Sequence, residues 1–230
     1  MTQPFIFTEL EIKKEIRMKY THCIWDYNGT ILDDVELGID TINELMRIHS
    51  IGKQLDRKSY RECFGFPVIN YYRALGFDFD KTPYDDIANE WVGIYLSNFD
   101  KAKIFDDAVP TLEFFKERGV KQSVLSASER NLLVSQINGL GIADYFEELM
   151  GIDNIYGASK LMLAKSWRER NPDEKVLFIG DTLHDIETAK LLCADCFIVC
   201  AGHQSREKFK DCNATVVSSL TELCEVISAL

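Results

Sequence analysis

The second half of the chain alternates short apolar runs with amphipathic stretches, and no other feature constrains the fold as much. The pattern predicts strands at residues 122–126, 175–180 and 197–200. Alternation of this kind is typical of βαβ units, which build a parallel sheet with helices on both faces. Ligands of such folds bind at the carboxyl ends of the strands, so we expect the functional residues there. The sequence therefore predicts an α/β fold with a Rossmann-like parallel sheet.

Helices are predicted between these strands and at the end of the chain. Three of them cover residues 128–140, 160–170 and 183–192. A final amphipathic helix is indicated by apolar residues at helical spacing, namely Leu220, Leu223, Ile227 and Leu230. We expect all four apolar residues of this last helix to pack on the sheet.

Residues 34–103 differ from the rest because their apolar residues follow helical spacing and form no strand-like run. Four helices are predicted in this stretch, at residues 35–49, 55–64, 68–75 and 84–99. Because this block interrupts the sheet after its first strand, we expect an all-helical cap inserted into the core. The predicted division is an N-terminal extension at 1–17, a Rossmann-like core at 18–33 and 104–230, and a cap at 34–103.

Charge and cysteine content limit the partners and the compartment. Lys and Arg number 26 against 37 Asp and Glu, and the net charge of −11 disfavours binding to nucleic acid or an anionic membrane. No apolar run approaches the roughly 20 residues that cross a bilayer, and no secretory signal is evident at the N-terminus, so we expect a cytoplasmic protein. We expect a monomer or a homodimer.

The seven cysteines are an odd number and mostly lie in apolar runs, which is typical of reduced thiols. Cys193, Cys196, Cys200 and His203 leave a zinc site open as an alternative. We favour packing, because Cys193 is predicted at a helix end, Cys196 is predicted at a strand entry, and no second close cysteine pair follows.

An aspartate follows the first predicted strand, at residues 21–25, where the chain runs into Asp26, Tyr27, Asn28, Gly29 and Thr30. A carboxylate held at the carboxyl edge of a sheet is positioned as a nucleophile or a metal ligand. The alternative is an aspartate that only caps the turn.

Asp181 and Asp185 lie four residues apart across the start of a predicted helix, directly after the strand that ends at Gly180. Both carboxylates can therefore face one point, and oxygen ligands in this arrangement suit Mg²⁺. The alternative makes Asp181 a helix cap and Asp185 a favourable acid in the first helical turn.

Ser126, Ala127 and Ser128 follow the strand at 122–126, and a hydroxyl beside the free N–H groups of a helix start can bind an anion. Ser128 is also the predicted N-cap of the next helix. Lys160 is predicted to begin a later helix, after a small-residue turn at 157–159. Taken alone, Lys160 reads as a surface lysine.

In this order, these four stretches resemble the haloacid dehalogenase-like hydrolases, and within them the phosphoglycolate phosphatase and phosphoglucomutase-like branch with a helical cap. The resemblance covers the chain from about Met18 onward. It implies that Asp26 is the nucleophile, that Ser126 and Lys160 contact the phosphate, and that Gly65-Phe66-Pro67 is the cap turn that faces the substrate.

The resemblance further implies a Mg²⁺-dependent phosphatase that hydrolyses a small phosphorylated metabolite through an aspartyl-phosphate. It assigns the metal to Asp26, the main-chain carbonyl of Asn28 and Asp181, with Asp185 orienting Lys160 or a metal-bound water. It assigns the phosphate oxygens to Ser126, the Ala127 N–H, Thr30 and Lys160.

Asn28 departs from the family pattern, because phosphatases of this family carry a second Asp there as general acid and base. An amide cannot relay a proton, so we expect slow turnover. The alternative is a catalytically impaired protein that binds a phosphate ligand or acts as a regulator. The acidic pair at 181 and 185 argues against a dehalogenase, and a mutase would depend on the missing acid even more.

The cap turn is rich in aromatic residues, which either shape the substrate pocket or pack the core. They are Phe64, Phe66, Tyr71 and Tyr72. Arg61 and Arg73 are candidates for contacts with an anionic substrate, whereas His184 is expected to face solvent.

Overall fold

A six-stranded parallel sheet forms the centre of this computed structural model, which describes residues 18–153 and 160–230. The strands lie in the order β5-β4-β1-β6-β7-β8, so the predicted α/β class is confirmed. They are β1 (His22–Trp25), β4 (Lys121–Glu129), β5 (Glu148–Ile152), β6 (Val176–Gly180), β7 (Asp195–Val199) and β8 (Thr215–Val217). Two short antiparallel strands, β2 (Leu32–Asp33) and β3 (Lys103–Ile104), pair separately. The predicted extension at 1–17 and the predicted turn at 157–159 lie outside the described residues.

The α-helices of the described residues fall into two groups. Four lie between β2 and β3 and are here called the cap: α1 (Val35–Ile48), α2 (Arg57–Cys63), α3 (Val68–Leu75) and α4 (Tyr84–Ser97). The others accompany the sheet: α5 (Ala108–Glu117), α6 (Arg130–Gly139), α7 (Leu161–Arg170), α8 (Leu183–Leu191) and α9 (Leu220–Ser228).

β1 lies between β4 and β6, and all four of its residues are buried. Trp25 packs in an apolar cluster on one face of the sheet, and Ile24 packs in a second cluster on the other face. Burial on both faces explains why this strand and β6 read as continuous apolar runs. The central position of β1 places its carboxyl end beside those of β4 and β6.

The cap has an apolar cluster of its own, which includes Ile42, Met46, Tyr60, Tyr72 and Ile87. The chain enters the cap through β2 and returns through β3, where Leu32 pairs with Ile104. The helical spacing of residues 35–97 thus serves packing between helices rather than packing on the sheet.

Two predicted details at helix ends are wrong. Ser128 is not the N-cap of α6, because β4 continues to Glu129, which pairs with Ile152. The Glu129 carboxylate caps α6 by accepting hydrogen bonds from the backbone N–H groups of Asn131 and Leu132, both at 2.9 Å. At the last helix, Leu230 is 74% exposed because α9 ends at Ser228, before the helical spacing can bring this residue to the sheet.

The seven cysteines all lie within the described residues and are free thiols. Cys196 is buried in β7, whereas Cys193 is exposed after α8. Within the described ranges, none of the helices is both long and apolar enough to span a bilayer.

Candidate active site

The carboxyl ends of three neighbouring strands bring the predicted site residues together. Asp26 follows β1, Asp181 follows β6, and Ser126 lies near the end of β4. β1 pairs in register with both neighbours, with Trp25 opposite Val124 and Ile179. Side chains that are 55 to 155 residues apart in the chain therefore meet at one edge of the sheet, as the βαβ pattern predicts.

Lys160 lies at the centre of this edge, and its side chain is only 2% exposed. Its ammonium contacts the carboxylate of Asp26 and lies 2.6 Å from Oδ1 of Asp185. The carbonyl oxygen of Leu125 lies 3.4 Å from Nζ. A buried ammonium is tolerated only when it is paired, and here two carboxylates pair with it. Lys160 is therefore buried and paired with carboxylates at the sheet edge, and it is not a surface lysine.

Asp185 is held rigidly at the start of α8. Its Oδ2 accepts hydrogen bonds from the N–H groups of Asp181 at 3.0 Å and Thr182 at 2.8 Å, and from the Thr182 hydroxyl at 2.7 Å. Gly180 allows this approach, because a Cβ there would lie 2.3 Å from Cγ of Asp185. The structure thus combines the predicted helix-start role of Asp185 with its contact to Lys160.

Asp181 is fully buried and lies between two glycine-containing loops. Its Oδ2 accepts a hydrogen bond of 2.6 Å from the backbone N–H of His203. The hydroxyl of Thr30, a residue predicted to bind phosphate, lies 3.5 Å from Oδ1 of Asp181. Gly29 has a φ of 73°, and a Cβ there would lie 2.3 Å from Oδ2 of Asp181, so glycine is required on both counts.

Asp26, Asp181 and Asp185 form a buried cluster in which one carboxylate oxygen from each residue lies within 4.8 Å of the others. Burial raises the pKa of Asp26 to about 7, because Lys160 opposes this effect only in part and Asp185 adds to it. Burial also raises the pKa of Asp181 well above its usual value, with Asp26 and Asp185 as nearby like charges. For Asp185 the effect of burial is outweighed by Lys160 and the Thr182 hydrogen bonds, which lower its pKa. Three clustered carboxylates, of which only Asp26 and Asp185 pair with the Lys160 ammonium, offer oxygen donors that fit a divalent cation such as Mg²⁺.

The side chain of Asn28 is engaged at both ends. Its Nδ2 donates to Oδ2 of Asp34 at 2.8 Å and to the hydroxyl of Tyr95 at 3.2 Å. Its Oδ1 accepts a hydrogen bond of 2.8 Å from the Ser128 hydroxyl. Ser128, predicted as a helix cap, thus instead fixes the orientation of the amide.

Asp34 and His203 belong to this site, although the sequence patterns did not single them out for it. Asp34 Oδ1 accepts the Gly29 N–H at 3.0 Å and lies 3.1 Å from Nε2 of His203. Burial would lower the pKa of His203, but Asp34 outweighs burial and raises it to about 9. Two signals could have identified them: a second acidic residue just before the first cap helix, and a Gly-His pair after β7, at the same sheet edge as Asp181.

Ser126 is buried, and its Oγ accepts a hydrogen bond of 3.1 Å from the Ser128 N–H. Ser126 and Ala127 both line a cavity of about 180 Å³ between the sheet edge and the cap. Asp26, Lys160 and Asp181 line the same cavity. The predicted phosphate-contacting residues and the acidic cluster therefore face one space, with the exceptions of Thr30 and Asp185.

The cap closes this cavity mainly with aromatic side chains. The four predicted aromatic residues of the cap turn and α3 line it, together with Tyr60, Tyr84, Trp91 and Tyr95. His184 was expected to face solvent, but it is 7% exposed because its ring stacks on Phe66, with centroids 4.7 Å apart.

The two arginines predicted to contact an anionic substrate do not line the cavity. Arg61 donates a hydrogen bond of 2.7 Å to the carbonyl oxygen of Gln204, where it joins the cap to the loop after β7. Arg73 lies over the ring of Phe79, 5.3 Å from its centroid. Both guanidinium groups are therefore used in contacts within the protein, and this part of the sequence prediction is wrong.

Comparisons with known proteins find relatives of this chain in sequence and in fold. The candidate pyrophosphatase PpaX of Caldanaerobacter subterraneus subsp. tengcongensis is 24% identical over 186 residues, which cover 75% of this chain and 78% of that protein. The tyrosine-protein kinase PtkA of Mycobacterium tuberculosis is 22% identical over 216 residues, covering 90% of this chain and 71% of that protein. A crystal structure of a predicted phosphatase from Clostridium acetobutylicum shares the fold, with a TM-score of 0.73 at 21% identity over 92% of this chain and 99% of that chain.

The family itself follows from a match over most of the chain. Residues 23–199 match the family described as haloacid dehalogenase-like hydrolase. This range includes the acidic cluster, Lys160, Ser126 and the whole cap. The chain belongs to the haloacid dehalogenase-like hydrolase family.

Proposed function

We propose that the protein is a Mg²⁺-dependent phosphatase that hydrolyses a small phosphomonoester through an aspartyl-phosphate on Asp26. The observation that carries this proposal is the Asp26 carboxylate, which follows the central strand, contacts the buried Lys160 and lines the cavity. A nucleophile needs both a fixed position and access to the substrate, and Asp26 combines them.

Asp26, Asp181 and the main-chain carbonyl of Asn28 would hold the metal ion, with Asp185 supporting Lys160 beside them. When bound, Mg²⁺ would offset the repulsion between these carboxylates and the phosphate oxygens. The raised pKa values of Asp26 and Asp181 support this assignment, because burial and the neighbouring carboxylates disfavour their ionised forms and a bound cation would offset both effects.

In the first step, the Asp26 carboxylate attacks phosphorus and the bond to the leaving-group oxygen breaks. Ser126 and the Ala127 N–H would bind the transferring oxygens, and the Lys160 ammonium would stabilise their charge. In the second step, water attacks the phosphorus of the aspartyl-phosphate and inorganic phosphate is released. Asn28 has no proton to give or take in either step, so we expect turnover to lack the roughly 10²- to 10⁴-fold contribution of general acid and base catalysis.

Two isosteric substitutions test this mechanism. Asp26→Asn removes the nucleophile and Asp181→Asn removes a metal ligand, so neither variant should release phosphate from 4-nitrophenyl phosphate. EDTA should abolish release by the wild type, and added Mg²⁺ should restore it. Asp106→Asn is the matched control, because the Asp106 side chain is 96% exposed, and this variant should behave as the wild type. Wild-type hydrolysis by Asp26→Asn, or no effect of EDTA, would contradict the mechanism.

One observation favours a second candidate, a phosphate-binding protein without turnover. The amide of Asn28 is saturated by Asp34, Tyr95 and Ser128, so nothing in its environment prepares it for proton transfer. Rapid-quench trapping with ³²P-labelled substrate separates the two candidates. A phosphatase accumulates aspartyl-phosphate, whereas a binding protein shows phosphate-dependent thermal stabilisation and no phosphoenzyme.

A further inference from the structure

Resting on the proposed phosphatase activity, we propose that the substrate is an aryl phosphate, that is, a phosphate ester of a phenolic hydroxyl whose ring occupies the cavity under the cap. Three features of the described residues carry this inference. They are the aromatic wall of the cavity, the engagement of both of its cationic side chains, and the amide at position 28.

The aromatic wall determines the shape and polarity of the substrate's organic part. Eight aromatic side chains and the apolar residues Ile42, Val68, Val92 and Leu132 line the cavity. Phe64 and Tyr71 meet edge to face at 5.4 Å, and Trp91 stacks on Tyr95 at 4.8 Å. A surface of this kind binds a flat apolar ring through burial and aromatic contacts. It offers little to a short polar metabolite.

Charge excludes a second anionic group on the substrate. Among the described residues that line the cavity, the cationic side chains are Lys160 and His203. Lys160 pairs with Asp26 and Asp185, and His203 lies 3.1 Å from Asp34. Glu129 lines the cavity as a further carboxylate. A carboxylate or second phosphate under the cap would therefore be desolvated without a partner, which is costly. This argues against phosphoglycolate and pyrophosphate.

The amide at position 28 selects the leaving group. Asn28 cannot protonate the departing oxygen, and its N–H groups donate to Asp34 and Tyr95. An alkoxide leaves poorly without a proton, whereas a phenol ionises with a pKa of about 10. As the Asp26 carboxylate attacks phosphorus, the bond to the aryl oxygen breaks and phenolate departs with the electron pair. Water then attacks the aspartyl-phosphate, both of its protons remain on dihydrogen phosphate, and the Asp26 carboxylate is regenerated.

A substrate panel tests the inference at saturating Mg²⁺. We expect kcat/KM for phenyl phosphate to exceed the values for propyl phosphate, 2-phosphoglycolate and pyrophosphate by at least about 10²-fold, which is the lower end of an acid/base contribution. Benzyl phosphate separates the cavity from the leaving group, because it has the ring but leaves as an alkoxide. Its dissociation constant, measured on Asp26→Asn, should match that of phenyl phosphate, while its rate of aspartyl-phosphate formation on the wild type falls.

A cation placed in the cavity should change the preference. Val92→Lys should lower kcat/KM for phenyl phosphate and raise it for 2-phosphoglycolate, each about tenfold, which corresponds to roughly 1.4 kcal/mol. Leu96→Lys on the same helix is the control, because Leu96 is 41% exposed and outside the cavity lining. Trp91→Leu is a second variant that introduces no charge. It should raise KM for phenyl and benzyl phosphate and leave KM for propyl phosphate unchanged.

The outcomes distinguish this inference from the function on which it rests. If no phosphomonoester and no pyrophosphate releases phosphate, the proposed phosphatase function fails. If 2-phosphoglycolate or pyrophosphate is hydrolysed as well as phenyl phosphate or better, the phosphatase function stands and the aryl phosphate assignment is overturned. An unchanged preference in both Val92→Lys and Trp91→Leu, with thermal unfolding as in the wild type, would also overturn it.

Discussion

Asn28 lies between a carboxylate and a hydroxyl, and an amide satisfies both because it donates on one side and accepts on the other. The burial that raises the pKa of Asp34 is outweighed by His203, Asn28 and Tyr95, which together hold it below its usual value. Asp34 therefore needs a donor at position 28. The amide at position 28 and the carboxylate of Asp34 are complementary groups of one hydrogen-bond network.

Asn28→Asp alone should consequently destabilise the protein, because it places a second carboxylate against Oδ2 of Asp34, where Nδ2 of Asn28 now lies at 2.8 Å. We expect a loss of about 2 kcal/mol in the free energy of unfolding, measured in urea. Asn28→Asp combined with Asp34→Asn exchanges donor and acceptor and should recover most of that loss. The double variant should also raise kcat on propyl phosphate by about 10²-fold. Full stability of the single variant would contradict this account.

The hydroxyl of Tyr71 makes a second residue-scale prediction. It is buried without a partner in the described residues, so Tyr71→Phe should raise the free energy of unfolding by about 1 kcal/mol in the absence of substrate. Tyr60→Phe is the matched comparison, because the Tyr60 hydroxyl lies 2.9 Å from Nδ1 of His203. That variant should lose about 1 kcal/mol. Equal effects of the two substitutions in thermal or urea unfolding would refute the distinction.

At the scale of elements, the loop after β7 is packed against the acidic cluster. A Cβ at Gly202 would lie 2.2 Å from Oδ2 of Asp181 and 2.4 Å from the carbonyl oxygen of Gly29. Gly202→Ala should therefore cost about 1–3 kcal/mol in unfolding free energy and remove activity. In α4, a Cβ at Gly93 meets no atom within 4 Å, so Gly93→Ala should add about 0.5–1 kcal/mol and keep activity. If Gly202→Ala kept the stability and activity of the wild type, the loop after β7 would have to move to accommodate the added Cβ.

The central strand predicts a pH effect. His22 of β1 lies 2.9 Å from the Ser123 hydroxyl and against the ring of Trp167, and burial lowers its pKa to about 4. Since the unfolded side chain titrates near 6.5, only the unfolded state gains a proton as the pH falls from 6.5 to 4, so stability falls over that range. Between pH 7 and pH 5 the wild type should lose about 2 kcal/mol more than His22→Gln in urea unfolding. If the unfolding free energies of the wild type and His22→Gln changed equally with pH, the proposed effect of His22 would be ruled out.

At the scale of the whole molecule, the acidic cluster joins β1, β6 and α8 at one point, so charge there acts on overall stability. Mg²⁺ that binds only the folded state at about 100 times its Kd should add about 2.7 kcal/mol. We expect Mg²⁺ to raise Tm and EDTA to lower it. Asp181→Asn should raise Tm without Mg²⁺ and reduce the response to it, because burial and like charges disfavour ionised Asp181. An unchanged Tm on addition of Mg²⁺ would argue against the metal site.

Local sequence patterns predict the type of an element, helix or strand, better than they predict the residues at its ends. The prediction of a helix at 68–75 agrees with α3, because Pro67 before it and Gly76 after it punctuate the chain. The N-cap of α6 was misplaced because the pairing of Glu129 with Ile152 extends β4, and that pairing is a contact with a distant strand. Similarly, the position of His184 in the turn after β6 predicts a solvent-facing side chain, whereas Phe66 of the cap covers its ring.

The strand pattern was enough to predict which side chains gather at one edge of the sheet, because the carboxyl ends of parallel strands lie at the same edge. This pattern predicts that Asp26, Ser126 and Asp181 lie near one another, and local spacing adds Asp185, whereas Lys160 was assigned to the site only by the family resemblance. The contribution of the cap required the three-dimensional structure, since helical spacing shows which residues are apolar but not which of them face the cavity. That structure turned Arg61 and Arg73 away from the cavity, and it joined Asn28 to Asp34 and Tyr95. These contacts depend on how the cap packs on the core, and no local pattern encodes that packing.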